Sequence, residues 1–196
     1  SAAPAPGLYQ LTITAHDEDN DLDFPLTLTL DVPMLPEVSF QVPFSTLMVH
    51  PSEPTSFTID VLNQGNGNQG YNLYIESPNG WRIGLDSLGS TIGATTGSTG
   101  AIPVDSARTV DMTVVPPEGA PPAAGLSLSA NLLVISQVDP DQSWIQPIQI
   151  EVSEYAAALI EAESDPGVLR PDSIVYIQFT VTNLGNVDLV LQPDIT

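Results

Sequence analysis

Hydrophobic and polar residues alternate along several short segments of this chain. Phe57, Ile59 and Val61 are apolar, and the positions between them are polar. A period of two places apolar side chains on one face of a strand and polar side chains on the other. No window shows a convincing helical period, and turn residues separate the segments. The strands predicted for the central region are Glu37–Val42, Thr46–His50, Thr55–Asn63, Tyr71–Ser77, Trp81–Leu85, Ala107–Val115, Leu126–Ser136 and Trp144–Val152.

The pattern recurs 120 residues further along the chain. The segment Pro51–Asn66, PSEPTSFTIDVLNQGN, aligns without gaps with Pro171–Asn186, PDSIVYIQFTVTNLGN. The same offset aligns the last predicted hairpin of one repeat with that of the next, and in this alignment Ile13 corresponds to Leu133. Internal repeats of this kind indicate an array of similar units. The sequence therefore predicts an all-β fold of tandem β-sandwich repeats.

The offset divides the chain into one complete unit and two partial ones. Residues 1–33 are predicted to form the C-terminal hairpin of a first repeat, residues 37–153 a complete sandwich, and residues 155–196 the N-terminal strands of a third repeat. The chain of 196 residues then holds about 1.6 periods, so we expect it to be an excerpt of a longer array. The links between units are short, and a stacked rod is therefore expected.

Two segments are ambiguous by composition. Tyr155–Glu163 has helix-forming residues, but its counterpart at the 120-residue offset looks extended, so we predict a strand. Leu88–Gly100 is rich in glycine, serine and threonine, and we predict a flexible loop there.

The charge balance excludes several classes of function. Three basic residues stand against 24 acidic ones, a net charge of −21, and the three are all arginine. Without a cationic surface the chain is not expected to bind nucleic acid or an anionic membrane. With no cysteine it has neither disulfides nor thiolate chemistry. No segment has the composition of a transmembrane helix.

A family resemblance rests on the end of one predicted strand and the turn after it. The pattern F-x-V/I-x-V-x-N-x-G-N, at Phe57–Asn66 and Phe179–Asn186, resembles immunoglobulin-like modules of bacterial and archaeal surface proteins, including the CARDB domain. It is also similar to modules found beside carbohydrate-binding domains in secreted glycosidases. Ser77–Trp81 resembles the P-x-G-W turn of these modules. The resemblance implies immunoglobulin-like sandwiches in an extracellular setting, and it supplies no binding residue.

The acidic segment 17–23 is the clearest candidate for a ligand site. In an extended chain Asp17, Asp19, Asp21 and Asp23 would point to one side, where a hard cation such as Ca²⁺ would relieve their repulsion. The spacing is not that of an EF-hand. The alternative is a solvated acidic loop that keeps the hairpin soluble. No other metal, and no cofactor, is expected.

Catalytic signatures are missing, and an enzyme is not expected. His16 and His50 have no partners at a useful spacing, and we interpret both as surface residues at strand ends. Trp144 aligns with Phe24 and is interpreted as a packing residue. Trp81 is more open to a role as a platform for a sugar ring.

Three functions remain after these exclusions. The preferred one is a non-enzymatic structural or adhesive segment of an extracellular tandem-repeat surface protein, whose partners are neighbouring repeats or other copies of itself. The second is a filament subunit completed by strand addition between copies. The third is an accessory module of a secreted carbohydrate-active enzyme, which would bind carbohydrate.

Overall fold

The computed structural model of the chain describes residues 4–86, 94–163, 174, 176–190 and 192. Within these residues the regular secondary structure is entirely β, and none of them lies in a helix that could cross a membrane. The strands are β1 Gly7–Asp17, β2 Leu22–Val32, β3 Val38–Gln41, β4 Leu47–Val49, β5 Thr55–Asn63, β6 Gln69–Glu76, β7 Arg82–Leu85, β8 Thr96–Ile102, β9 Ala107–Val115, β10 Ser127–Ser136, β11 Ser143–Val152, β12 Ala158–Ala162 and β13 Phe179–Asn183.

Strands β3 to β11 form a sandwich of two sheets. One sheet has the order β4-β11-β10-β6-β8, and the other has the order β3-β5-β9-β7. The chain enters in the second sheet, where β3 pairs antiparallel with β5, and then crosses to the first, where β4 pairs parallel with β11. The predicted all-β, immunoglobulin-like sandwich is confirmed.

The core lies between these two sheets and follows the alternation in the sequence. In β9, Val110, Met112 and Val114 are fully buried, whereas the residues between them are more exposed. The β5 and β10 strands show the same period of two. Burying one face of each strand removes its apolar side chains from water, which is the main favourable term in folding.

Two antiparallel strand pairs flank the sandwich and repeat parts of it. In β12–β13, Ala158 pairs with Asn183 just as Val38 pairs with Asn63 in β3–β5, 120 residues earlier. Strand β12 also confirms the strand predicted in Tyr155–Glu163. The β1–β2 hairpin corresponds to the antiparallel hairpin β10–β11. Its apolar face is exposed, unlike that of β10–β11, and carries Tyr9, Leu11, Ile13, Phe24, Leu26, Leu28 and Leu30.

One residue of the predicted alignment is wrong. The pairing of Ile13 with Leu26 makes Ile13 the counterpart of Leu132, not of Leu133. The hairpin tip between β1 and β2 is one residue shorter than the tip between β10 and β11, so the register slips by one. Because strand side chains alternate between faces, that slip moves Ile13 from the outer face to the core face.

The predicted loop at Leu88–Gly100 is also wrong in its second half. Thr96–Ile102 is strand β8, which pairs with β6, while residues 88–93 lie outside the described residues. The register shifts between Gly70 and Asn72, and the Thr99 hydroxyl there accepts a hydrogen bond from the Tyr71 N–H at 3.0 Å. The glycine-rich composition hid a strand, and this side-chain bond lies where its pairing with β6 shifts register.

Candidate functional site at the module junctions

The turn after β5 is built around a buried asparagine. The Asn63 side-chain amide donates to the carbonyls of Gly67 at 2.9 Å and Ile102 at 2.8 Å, and its oxygen accepts from the Gly65 N–H at 3.0 Å. Asn183, after β13, makes the equivalent bonds to Val187 and Gly185. Both copies of N-x-G-N therefore close the same turn.

Tyr71 supports this turn from within the core. Its hydroxyl donates to the Glu37 carbonyl at 2.8 Å and lies 3.1 Å from the side-chain oxygen of Asn63. Burial, and then the negative charge of Glu37, raise the pKa of Tyr71 to about 12. The phenol therefore stays protonated and keeps donating across the neutral pH range.

The second asparagine of the motif joins the sandwich to the β1–β2 hairpin. The Asn66 side-chain amide donates to the carbonyls of Pro4 at 3.1 Å and Pro33 at 3.0 Å. Its oxygen accepts from the Leu35 N–H at 2.8 Å. Asn66 is 6% exposed. The segment before β1, the linker after β2 and the turn after β5 therefore meet at one buried side chain. A buried amide with both donors and its oxygen bonded gives a defined geometry.

The same arrangement occurs between the sandwich and the strand pair β12–β13. The Asn186 side-chain amide donates to the carbonyls of Pro122 at 3.0 Å and Ser153 at 2.9 Å, and its oxygen accepts from the Tyr155 N–H at 2.7 Å. We call Asn66 and Asn186 the junction asparagines. The two junctions therefore have the same set of bonds, although the linker residues differ.

The glycine of the motif is required by close approach of the linker. A Cβ on Gly185 would lie 2.2 Å from the Tyr155 carbonyl oxygen, and one on Gly65 would lie 2.5 Å from that of Leu35. Atoms at such distances overlap, and the obstacle is backbone that has little freedom to move. In the motif N-x-G-N, the first asparagine thus closes the turn, the glycine leaves room for the linker, and the second asparagine binds the linker.

Some contacts belong to one junction alone. The His50 ring, after β4, packs edge-on against Tyr155 with centroids 4.5 Å apart, so this histidine lies at a junction and not simply at a strand end. At the other junction, the Gln69 amide donates to the Leu35 carbonyl at 3.1 Å. Sequence reasoning missed these roles. The identical N-x-G-N in both copies was the available signal, but it did not reveal what the asparagines bind.

The acidic tip of the β1–β2 hairpin differs from the extended arrangement expected. The chain turns between Asp17 and Leu22, so Asp17 and Asp23 lie on opposite faces of the hairpin. The Asp17 carboxylate accepts hydrogen bonds from the Asn20 side chain and from the Asp19 N–H. These bonds, the first more than the second, lower the pKa of Asp17.

Two acidic residues of the tip, Asp21 and Asp23, lie close to His16. Asp23 contacts the His16 Nδ1 at 2.8 Å, and an Asp21 oxygen lies 3.8 Å from its Nε2. The described part of the chain contains no group of three or more potential ligands gathered for a metal ion. Calcium binding by Asp17, Asp19, Asp21 and Asp23 stays a prediction.

The two tryptophans are packing residues. Trp81 is 6% exposed and lies in the core, so it offers no open face for a sugar ring, and that hypothesis is wrong. Trp144 packs against the core, with its ring edge-on to Tyr71 at a centroid distance of 6.1 Å. The exposed Phe24, its counterpart in β2, occupies the same position on an uncovered face.

Comparisons with known proteins give structural neighbours only. No protein-family model matches the sequence, and no curated protein matches it either. Among solved structures, domains 4 and 5 of the S-layer protein SbsC are similar at 13% identity and a TM-score of 0.36. That similarity covers 76% of this chain and 58% of the S-layer chain, so this chain spans little more than half of it.

Two further solved structures are similar at the same level. The ASH/PapD-like domain 7 of human CEP192 has 16% identity and a TM-score of 0.37, covering 59% of this chain and 83% of that one. A family 123 glycoside hydrolase from Clostridium perfringens has 11% identity and a TM-score of 0.39, covering 60% and 27%. At such TM-scores the fold assignment rests on the strand pairing of this chain itself.

Proposed function

We propose that this chain is a structural, non-enzymatic segment of an extracellular tandem-repeat protein, in which sandwich modules stack end to end. The observation that carries the proposal is the repeated junction. Asn66 and Asn186 make the same three side-chain bonds to the linker and to the preceding unit. A bond set that recurs 120 residues apart supports the same orientation between successive modules.

The proposed array also accounts for the uncovered faces of the β1–β2 and β12–β13 strand pairs. In the complete sandwich, the face of β10–β11 is covered by the sheet β3-β5-β9-β7. The corresponding face of β1–β2 exposes Leu28 and Leu30, and β12–β13 exposes Ile160 and Phe179. In this proposal residues 1–33, 37–153 and 155–196 belong to three successive modules, and the second sheet of each outer module covers these faces.

The surface location is supported by composition and by the motif resemblance. A net charge of −21 without lysine keeps such rods soluble and mutually repulsive. The F-x-V/I-x-V-x-N-x-G-N pattern resembles the CARDB-like modules of bacterial and archaeal surface proteins, and we infer that this chain belongs among such modules. An antibody against the chain should label intact source cells, whereas labelling only after lysis would contradict the location.

Rigidity of the junction gives a direct test of the structural role. The chain has no cysteine, so Thr14→Cys and Thr58→Cys place one spin label on the β1–β2 hairpin and one on the sandwich, both at exposed sites. Electron–electron double resonance should give one narrow distance distribution. A broad distribution would show that the units move freely and would contradict a stacked rod.

Completion by a second copy is the other candidate that the exposed faces support. The strands of β1–β2 and β12–β13 correspond to facing parts of one module, so two copies could cover each other's apolar faces. This candidate predicts concentration-dependent assembly of the purified chain. Sedimentation of a monomer at all concentrations tested would remove it.

A further inference from the structure

Beside each junction asparagine, the residue that follows it lies near the preceding unit, and its size differs between the two junctions. At the first junction, a Cβ on Gly67 would lie 2.8 Å from the Pro6 ring and 3.0 Å from the Met34 methyl. The Met34 methyl ends a flexible side chain and can move, but the Pro6 ring is rigid. Pro6 therefore leaves room for glycine alone at position 67.

The second junction has different residues at the corresponding positions. Val187 is the counterpart of Gly67, because the carbonyl of each accepts a bond of 2.9 Å from the first asparagine of its motif. Counted from the proline that binds the junction asparagine, the residue at the place of Pro6 is Ala124. Counted back from the strand that follows, it is Gly125, because β10 is offset from β1 by one residue less than 120. By either count, the second junction has a small residue in place of the Pro6 ring and a valine in place of Gly67.

The junction asparagines, in contrast, do not distinguish between neighbours. They bind only backbone groups of the other units, namely two carbonyls and one N–H. Both linkers, Pro33-Met34-Leu35 and Ser153-Glu154-Tyr155, present the N–H and one of the carbonyls although their side chains differ. Any selection between modules must therefore come from side chains near the asparagine.

We propose that the sizes of the residues at this contact, proline facing Gly67 at the first junction and a small residue facing Val187 at the second, determine which module can precede which. A module with valine in this turn excludes a predecessor with proline, since the ring and the valine would overlap. A module with glycine placed after alanine would leave a cavity and lose packing. The partner recognised by this contact is a neighbouring module of the same array. The inference rests on the proposed stacking of modules.

A double-mutant cycle in the full chain tests the pair. With spin labels at Thr14→Cys and Thr58→Cys, Gly67→Val should broaden or shift the distance distribution. Adding Pro6→Ala to Gly67→Val should restore the narrow distribution, because it removes the ring that the valine would overlap and combines a small residue with valine, as at the second junction. The control is Asn68→Val, the same side chain at an exposed position of the same turn, which should leave the distribution unchanged.

The outcomes separate this inference from the proposed function. A double variant as broad as Gly67→Val alone, or a Gly67→Val variant as narrow as the unsubstituted chain, would overturn the pair and leave the stacked rod standing. A broad distribution for Asn68→Val would also overturn it, because any valine in the turn would then have the same effect. A broad distribution in the unsubstituted chain would overturn both proposals.

Discussion

Replacing the first junction asparagine should release the linker while leaving the sandwich folded. Asn66→Ala removes three hydrogen bonds of 2.8–3.1 Å, to Leu35, Pro4 and Pro33. At about 0.5–1.5 kcal/mol net for each bond, the junction should lose about 1.5–4.5 kcal/mol. None of these three bonds involves a residue of the core, so the loss of stability should be confined to the junction.

Amide hydrogen exchange provides the measurement for this variant. The Leu35 amide should exchange about 10-fold to 2,000-fold faster in Asn66→Ala, the range that corresponds to the estimated loss. The Gln64 amide should stay protected, because its bond to the Glu37 carbonyl, at 2.9 Å, lies outside the altered contact. Asn68→Ala is the matched control, an exposed asparagine two residues away. Equal Leu35 protection in both variants would refute the role assigned to Asn66.

Three further predictions concern the core, the turn and the acidic tip. Tyr71→Phe should cost about 1–3 kcal/mol at neutral pH. Because folding raises the pKa of Tyr71 to about 12 from 10.0, its contribution is complete below pH 10 and is lost towards pH 12. Denaturant titrations of the unsubstituted chain should show this alkaline loss of stability, and those of Tyr71→Phe should show less of it. Gly185→Ala should increase proteolysis at Tyr155 and Ala156, since its Cβ would overlap the Tyr155 carbonyl, while a cleavage rate equal to that of the unsubstituted chain would contradict this close approach. Calcium binding at the acidic tip predicts a higher Tm in excess Ca²⁺ than in chelator, and an unmoved Tm would exclude it.

Strand positions were largely predictable because they depend on local pattern. Thr55–Asn63 and Ala107–Val115 were predicted with the bounds that the structure has, since in each the alternation ends at a polar or proline-containing turn. Thr96–Ile102 was missed because its glycines weaken the alternation, and because local sequence does not show its pairing with β6 across a register shift at Thr99. Trp81 was misjudged for a similar reason, because its position after a turn did not reveal that the core covers it.

The sequence by itself determined the fold class, the period of the repeat and the classes of function that the charge excludes. These follow from alternation, from a constant offset and from composition, each of which can be counted along the chain. The partners of the junction asparagines were decided only in three dimensions, because Asn66 and Pro4 are 62 residues apart, and Asn186 and Pro122 are 64 apart. The face on which Ile13 lies was decided there too. A single residue less at a hairpin tip shifts the register, and only the pairing of the strands shows which face each side chain takes.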